Sequence, residues 1–279
     1  MRSMFWTALA GVAFTLQLSA ATVDGLKIHS SSAGTARQTV ILVHGWTCDS
    51  TSWTEQVGPL SKSYRVVTLD LPGHGLSGSP ADGKFTVDLF ARAVEAVRAE
   101  ANADKVVLVG HSMGAPVIRQ YARLYPQHVA GLVAVDGPLV GGPGPSPQRG
   151  EAPPPRLPQM TGPEGLKARE TMIRGMFTPQ TPAPLQQKIL AMMLKAPEAT
   201  ATGAIAAMGD PVLWKEDVVA TPVLAIYAGT SKLPDITTMQ KTLPKFEATQ
   251  VAGTGHFVMM EKPAEFNRLL SAFLEKASF

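Results

Sequence analysis

Residues 106–114 combine a short apolar run with a serine placed between two glycines. Val106-Val107-Leu108-Val109 has the composition of a buried strand, and Gly110-His111-Ser112-Met113-Gly114 follows it directly. A turn this sharp brings together the residues two positions before and after the serine, so both positions demand glycine. The turn projects the serine oxygen above the sheet, and the helix that follows aims backbone N–H groups at the space beside it. The pattern is typical of a catalytic nucleophile; the alternative is an ordinary strand-to-helix turn that contains a serine.

A serine hydroxyl is a poor nucleophile unless a base contacts it, and the sequence offers His256 as that base. His256 ends the run Gly253-Thr254-Gly255-His256, a flexible loop that follows a predicted strand. It would accept the proton of Ser112 and later return it to the leaving group. We expect the backbone N–H groups of Trp46, which follows His44-Gly45, and of Met113 to form the oxyanion hole.

Strand and helix patterns alternate along most of the chain, and they must bring these residues to one edge of a sheet. Buried strands consist of continuous apolar and β-branched runs, whereas helices place apolar residues on one side. We predict strands over residues 23–29, 39–43, 64–69, 106–109, 129–135, 222–227 and 246–251, and helices over 53–60, 86–102, 115–124 and 263–276. The predicted fold class is α/β, with a mostly parallel, doubly wound sheet.

A second region breaks this alternation. Residues 137–163 are dominated by Gly and Pro, which predicts a surface loop or hinge. Three Met-rich helical stretches without strand character follow, over residues 165–177, 184–194 and 200–208. We therefore predict a helical cap with a Gly/Pro-rich hinge over residues 139–214, inserted after the strand predicted over residues 129–135. Residues 22–138 and 215–279 form the α/β core.

Four motifs occur in a defined order along the chain. They are His44-Gly45 after an early strand, the segment 70–77, the elbow at Ser112, and Gly253-Thr254-Gly255-His256. In this combination the chain resembles the α/β-hydrolase fold superfamily, in its serine esterase and lipase-like branch. The resemblance covers essentially the whole chain after residue 21 and is weakest over the cap. It implies a Ser-His-acid triad that reacts through an acyl-enzyme.

The resemblance leaves the acid of the triad open. In most relatives it follows the strand after the cap as Gly-x-x-Asp, but here Gly229-Thr230-Ser231-Lys232 puts a lysine in that position. Asp136 directly follows the strand before the cap, at the edge of a parallel sheet where active sites form. We expect Asp136 to be the acid, because related hydrolases are known to place it there. The main alternative is Asp235; Asp210 and Asp217, near the cap boundary, are the others.

Composition argues against several function classes. The chain has 279 residues, a net charge of +3 and no run of Lys or Arg, so nucleic-acid binding is not indicated. Cys48 is the only cysteine in the sequence, so neither an internal disulfide nor a cysteine-based metal site can form. We expect no cofactor and no metal. The expected partner is a small-molecule ester, and the sequence predicts no oligomeric state.

Residues 1–21 have the pattern of a secretory signal peptide. Arg2 supplies a positive charge, residues 4–18 are largely apolar, and Ser19-Ala20-Ala21 offers small residues for cleavage. The apolar run is short and is interrupted by polar residues, which argues against a transmembrane helix. We predict export to the periplasm or the exterior, without stable membrane insertion after cleavage. An uncleaved interfacial anchor is the alternative.

Together these observations predict a secreted serine hydrolase that cleaves carboxylic esters with short to medium, apolar acyl groups. Methionines of the predicted cap would supply an adaptable apolar pocket, although they could equally be ordinary helix-packing core. Those methionines are Met160, Met172, Met176, Met192, Met193 and Met208. Lactonase, thioesterase, C–C hydrolase and perhydrolase activities use the same triad and stay open. A non-catalytic binding protein of this fold is the hypothesis of a different class.

Overall fold

The computed structural model describes residues 17–140 and 160–277. Within these residues one sheet contains β1 (Gln17–Val23), β2 (Leu26–Ala33), β3 (Thr39–Val43), β4 (Arg65–Leu69), β5 (Val106–His111), β6 (Val129–Val135), β7 (Val223–Ala228) and β8 (Phe246–Val251). Their order across the sheet is β1-β2-β4-β3-β5-β6-β7-β8. Strands β3 to β8 run parallel, whereas β1 and β2 are antiparallel to their neighbours. The predicted α/β fold class with a mostly parallel sheet is confirmed.

The centre of the sheet consists of strands that are buried along their whole length. Every residue of β3 and of β5 is buried, as expected for parallel strands that are covered on both faces. The register places Val43 beside Gly110 and His111 beside Val135. The C-terminal ends of β3, β5 and β6 therefore meet at one edge of the sheet, where the loops that carry the candidate residues begin.

Amphipathic helices flank the sheet. In the described ranges the α-helices are α1 (Thr54–Leu60), α2 (Val87–Glu100), α3 (Gly114–Leu124), α4 (Gly162–Arg174), α5 (Ala183–Leu194), α6 (Glu198–Ala207), α7 (Ile236–Gln240), α8 (Val258–Glu261) and α9 (Pro263–Lys276). Helix α2 packs against α3, and α1 packs against α9. Their apolar stripes are buried, as Val94 and Val97 of α2 illustrate.

Helices α4, α5 and α6 lie between β6 and β7 in the chain, in the region of the predicted cap. Helix α6 contacts loops of the core. Trp46 Nε1 donates a 2.8 Å hydrogen bond to the carbonyl oxygen of Ala201, and Thr200 Oγ1 donates one of 2.8 Å to that of Gly73. Most of the predicted hinge, residues 141–159, lies outside the described residues.

The N-terminal part of the sheet differs from the prediction of one strand over residues 23–29. Strands β1 and β2 form an antiparallel hairpin there, with Asp24 (φ 50°) and Gly25 (φ 79°) in the turn. Two consecutive positive φ angles suit a two-residue hairpin turn, and an Asp-Gly pair adopts them readily. The single-strand prediction is wrong because it runs through this turn.

The predicted signal peptide lies mostly outside the described residues, which begin at residue 17. The predicted cleavage after Ala21 falls within β1, which pairs with β2. Cleavage and export stay predictions. In residues 17–140 and 160–277, no helix is both long and apolar enough to cross a membrane.

Candidate active site

The turn around Ser112 has the strained backbone that its sequence predicts. Strand β5 ends at His111, α3 begins at Gly114, and Ser112 between them has a φ of 52°. A Cβ atom added at Gly110 would collide with the carbonyl group of Gly114, and one added at Gly114 would lie 2.6 Å from the carbonyl oxygen of Val43. These contacts confirm the predicted need for two glycines. A non-glycine residue at positive φ marks a strained position.

Asp136 and His256 are in direct contact. Asp136 follows β6 with a φ of 42°, and its Oδ2 lies 2.6 Å from His256 Nδ1. Because an ionised carboxylate only accepts hydrogen bonds, Nδ1 of the neutral imidazole carries the proton and Nε2 can accept one. The side chain of Asp136 is 8% exposed and that of His256 is 21% exposed. A general base acting on a serine requires this orientation of the imidazole.

The second oxygen of Asp136 has partners of its own. Oδ1 accepts hydrogen bonds from Ser231 Oγ at 2.6 Å and from the Ala228 N–H at 3.0 Å. Burial opposes ionisation, but the bonds from His256, Ser231 and Ala228 hold the pKa of Asp136 below its ordinary value. Asp136 is therefore a carboxylate with one oxygen directed at His256. The sequence alone does not identify Ser231 as a site residue. The one feature of the sequence that could have pointed to it is its position directly before Lys232, where most relatives carry the acid.

The alternative acids have other hydrogen-bond partners. Asp235 is exposed and caps the N-terminus of α7. Asp210 caps the short 3-10 helix that follows α6, and Asp217 forms ion pairs with two arginines of α3. Of these four aspartates, only Asp136 is hydrogen-bonded to His256. The structure thus brings the expected acid to the expected base and places Asp235 elsewhere.

Ser112 lies at the same edge of the sheet as Asp136 and His256. Its N–H donates a 2.9 Å hydrogen bond to the carbonyl oxygen of Val135, the residue before Asp136. The ring of His111, the residue before Ser112, has its centroid 4.7 Å from that of the His256 ring. The strand ends therefore place Ser112 at the same edge of the sheet as the hydrogen-bonded pair of Asp136 and His256.

His111 holds the main chain of His256. Its Nε2 lies 2.9 Å from the His256 carbonyl oxygen, and since a carbonyl only accepts, Nε2 is the donor. Burial and the neighbouring His256 lower the pKa of His111 to about 3. This ring is therefore neutral at pH 7 and packs beside the candidate base.

The loop that carries Trp46 passes directly beside Ser112. A Cβ atom added at Gly45 would lie 3.1 Å from Ser112 Cβ, so a side chain at position 45 would crowd the turn around Ser112. His44 Nε2 accepts the N–H of Leu71 at 2.9 Å, which ties this loop to the segment after β4. Within the described residues, the backbone N–H groups of Trp46 and Met113 make no hydrogen bond. The assignment of these two groups to an oxyanion hole stays a prediction.

The described residues offer neither a metal site nor a reactive cysteine. Across residues 17–140 and 160–277, no three or more His, Cys, Asp or Glu side chains are grouped so that they could hold a metal ion. Cys48 is buried, and burial raises the pKa of its thiol. A buried thiol with a raised pKa is a poor nucleophile, so Cys48 is a packing residue.

A sequence model of the alpha/beta hydrolase family matches residues 40–269. The chain belongs to the alpha/beta hydrolase family. The matched region includes Ser112, Asp136 and His256, and the family resemblance inferred from the four motifs is confirmed.

Relatives within this family carry out different reactions. The chain is 37% identical over 115 residues to the dihydrolipoyllysine-residue acetyltransferase component of the acetoin cleaving system of Cupriavidus necator, a match that covers 41% of the chain and 30% of that protein. It is 34% identical over 116 residues to a 2-hydroxy-6-oxononadienedioate/2-hydroxy-6-oxononatrienedioate hydrolase of Klebsiella pneumoniae, with 40% of each covered. The matches therefore span 30% and 40% of the length of these curated relatives.

Among solved structures, the fold is similar to that of a Burkholderia cenocepacia protein assigned as an aryl esterase. The two superpose with a TM-score of 0.77 at 27% sequence identity, and the match covers 94% of this chain and 99% of that one. The structural similarity to this member of the alpha/beta hydrolase family thus extends over nearly the whole of both chains.

Proposed function

We propose that this protein is a serine hydrolase that cleaves carboxylic esters through an acyl-enzyme. The observation that carries the proposal is the 2.6 Å contact between Asp136 Oδ2 and His256 Nδ1, beside the strained elbow at Ser112. A histidine oriented by a buried carboxylate is what turns a serine hydroxyl into a nucleophile. Membership of the alpha/beta hydrolase family supports the same conclusion.

In the proposed reaction, Ser112 Oγ attacks the ester carbonyl carbon while His256 Nε2 takes the hydroxyl proton. Asp136 stabilises the imidazolium that forms. The tetrahedral intermediate breaks down as His256 protonates the leaving alcohol, and the acyl group stays on Ser112. His256 then deprotonates a water molecule that attacks the acyl-enzyme, which releases the acid and restores the serine.

The negative oxygen of each tetrahedral intermediate needs donors that are already in place. We assign this role to the backbone N–H groups of Trp46 and Met113, which make no other hydrogen bond within the described residues. Loss of one such donor typically costs about 2.7–4 kcal/mol of transition-state stabilisation. The indole of Trp46 is itself bonded to Ala201 of the cap helix α6, which fixes the position of this residue.

The surroundings of His256 favour an apolar substrate. Phe257, the next residue, is fully buried, and its ring centroid lies 6.5 Å from that of Phe177 in the cap. We therefore propose esters with short to medium, apolar acyl groups, and the similarity to a protein assigned as an aryl esterase supports an ester substrate. We also propose that the protein is exported, on the pattern of residues 1–21.

The second candidate is a carbon–carbon bond hydrolase that uses the same three residues. It is favoured by the 34% identity over 116 residues to the Klebsiella pneumoniae hydrolase. The products separate the two reactions, because an ester yields an alcohol whereas a cleaved C–C bond yields a fragment protonated at carbon. A 2-hydroxy-6-oxo dienoic acid therefore belongs in the substrate panel beside esters, lactones and thioesters.

The test is the hydrolysis of p-nitrophenyl acetate and butyrate by the wild type, Ser112→Ala and Ser271→Ala. Ser271 lies in α9 and serves as the matched control. We expect S112A to fall to the uncatalysed background and S271A to retain the wild-type rate. A fluorophosphonate should label Ser112 in peptide mapping. A wild type that never exceeds S112A on any member of the panel would refute the proposal and favour a non-catalytic binding protein.

A further inference from the structure

The loop that carries His256 is held by a carboxylate that the proposed reaction does not use. Glu261, at the end of α8, accepts the N–H of Gly255 at 3.0 Å with Oε2 and that of Phe257 at 3.3 Å with Oε1. These two residues flank His256 in the sequence. One side chain therefore fixes the peptide groups on both sides of the proposed base.

The same carboxylate reaches the cap. Thr181, which is buried in the connection between α4 and α5, donates its hydroxyl to Glu261 Oε2 at 2.8 Å. In the same connection, the carbonyl oxygen of Met176 accepts the N–H of His256 at 3.0 Å. A Cβ atom added at Gly255 would lie 2.5 Å from that carbonyl oxygen, so the two segments are in close contact. Cap and histidine loop share one hydrogen-bond network.

Both carboxylate oxygens of Glu261 accept hydrogen bonds in this network. The neighbouring Lys262 donates to the carbonyl oxygen of Ala252 at 2.7 Å, at the other end of the loop. Hydrogen bonds to an ionised carboxylate are about twice as strong as neutral ones. The loop needs such restraint, because Gly253 has a φ of 68° and neither Gly253 nor Gly255 has a side chain of its own to pack.

We propose that Glu261 is the positioning residue that sets His256 against Asp136, and that Thr181 couples the cap to it. This inference rests on the proposed role of His256 as the base. A displacement of about 1 Å at a reacting group can cost about 100-fold in rate. Loss of Glu261 should therefore lower kcat much more than it raises KM. The cap then forms part of the catalytic scaffold as well as the cover over the substrate.

The kinetic experiment uses matched charge changes. Glu261→Gln keeps the size of the side chain and removes its charge, and Glu275→Gln, at an exposed position of α9, is the control. With a p-nitrophenyl ester we expect E261Q to lose about tenfold or more in kcat while KM changes by less than about twofold. E275Q should behave as the wild type. Thr181→Val should show a smaller loss, and Thr181→Ser should restore kcat because it keeps the hydroxyl.

A spectroscopic measurement separates positioning from a general loss of stability. The proton on His256 Nδ1, in its 2.6 Å bond to Asp136, should give a far-downfield proton resonance that Asp136→Asn removes. We expect this resonance to shift or broaden in E261Q and T181V and to return in T181S. The T181V and T181S pair decides the matter if E261Q does not fold.

Two results would overturn the inference: wild-type kcat in folded E261Q, or a lowered kcat with an unchanged resonance. Failure of the proposed function is a different result, a wild type no faster than S112A. In that case the resonance still decides whether Glu261 positions His256.

Discussion

The hydroxyl group of Ser231 donates a 2.6 Å hydrogen bond to Asp136 Oδ1, the carboxylate oxygen that does not face His256. Ser231 follows β7, the strand after which most members of the family carry the acid itself. Here that strand supplies a donor to an acid on the neighbouring strand β6. Gln250 of β8 donates to the Ser231 carbonyl oxygen at 2.7 Å and so holds the donor in place.

Removal of this donor should weaken the proposed triad without abolishing it. A hydrogen bond to a charged group contributes about 1.5–3 kcal/mol, and the bonds from His256 and Ala228 would remain. We expect Ser231→Ala to lower kcat by up to about tenfold and to raise the pKa of Asp136, because the Ser231 bond is one of the causes that lower it. Steady-state kinetics and carbon NMR titration of the Asp136 carboxyl group check the two effects. Ser231→Thr, which keeps the hydroxyl, is the control; an S231A enzyme with wild-type kcat would contradict the account.

Two glycines test the backbone geometry of the elbow. A Cβ atom at Gly114 would lie 2.6 Å from the carbonyl oxygen of Val43, a backbone atom that cannot move aside, whereas one at Gly58 in α1 would meet nothing within 4 Å. We expect Gly114→Ala to destabilise the fold by about 1–3 kcal/mol. Gly58→Ala should change the stability by less than about 0.5 kcal/mol, because the better helix propensity of alanine is opposed by crowding of its Cβ against the ring of Pro59. Denaturant titration measures both, and equal effects of the two substitutions would contradict the geometry.

Two buried histidines should make the protein less stable in acid. Burial, reinforced by a neighbouring histidine, lowers the pKa of His74 and of His111 to about 3, from an ordinary value of 6.5. Below pH 6.5 the unfolded chain therefore binds protons that the folded chain does not, and the free energy of unfolding falls as the pH falls. Each histidine should account for about 2 kcal/mol between pH 7.5 and pH 5.

Thermal and denaturant unfolding at pH 7.5 and pH 5 measure this loss. His74→Asn is the informative variant, because an asparagine amide can replace the ring Nδ1–H that donates to the carbonyl oxygen of Pro72 at 3.0 Å. It should lose less stability than the wild type between the two pH values. An identical pH dependence in His74→Asn and the wild type would show that His74 does not titrate as described.

The sequence predicts well those elements that are encoded by residues close to one another in the chain. The apolar run of β5 and the glycines around Ser112 are encoded by neighbouring residues, so both the strand and the elbow follow from the sequence. The hairpin turn at Asp24-Gly25 is equally local, yet the strand predicted over residues 23–29 runs through it. Apolar residues lie on both sides of this turn and resemble one continuous strand, but the Asp-Gly pair between them favours a two-residue hairpin turn.

Residues that act through distant contacts are much harder to predict. Asp136 and Asp235 both lie near strand ends, and only the strand order and the loop paths decide which of them reaches His256. Ser231 meets Asp136 across 95 residues of sequence, and Glu261 meets Thr181 across 80. No local pattern marks such pairs, because the approach of the two partners depends on how the whole sheet and cap pack.

The most direct test of the account compares kcat of Asp136→Asn with that of Asp235→Asn on a p-nitrophenyl ester, with circular dichroism to show that both variants fold. An asparagine at position 136 would donate its amide to His256 Nδ1 and force the tautomer in which Nε2 carries the proton and cannot accept that of Ser112. We predict a loss of roughly 10³–10⁴-fold in kcat for Asp136→Asn and a wild-type kcat for Asp235→Asn, which keeps a side-chain oxygen that can cap α7. A nearly wild-type Asp136→Asn beside an inactive Asp235→Asn would contradict it.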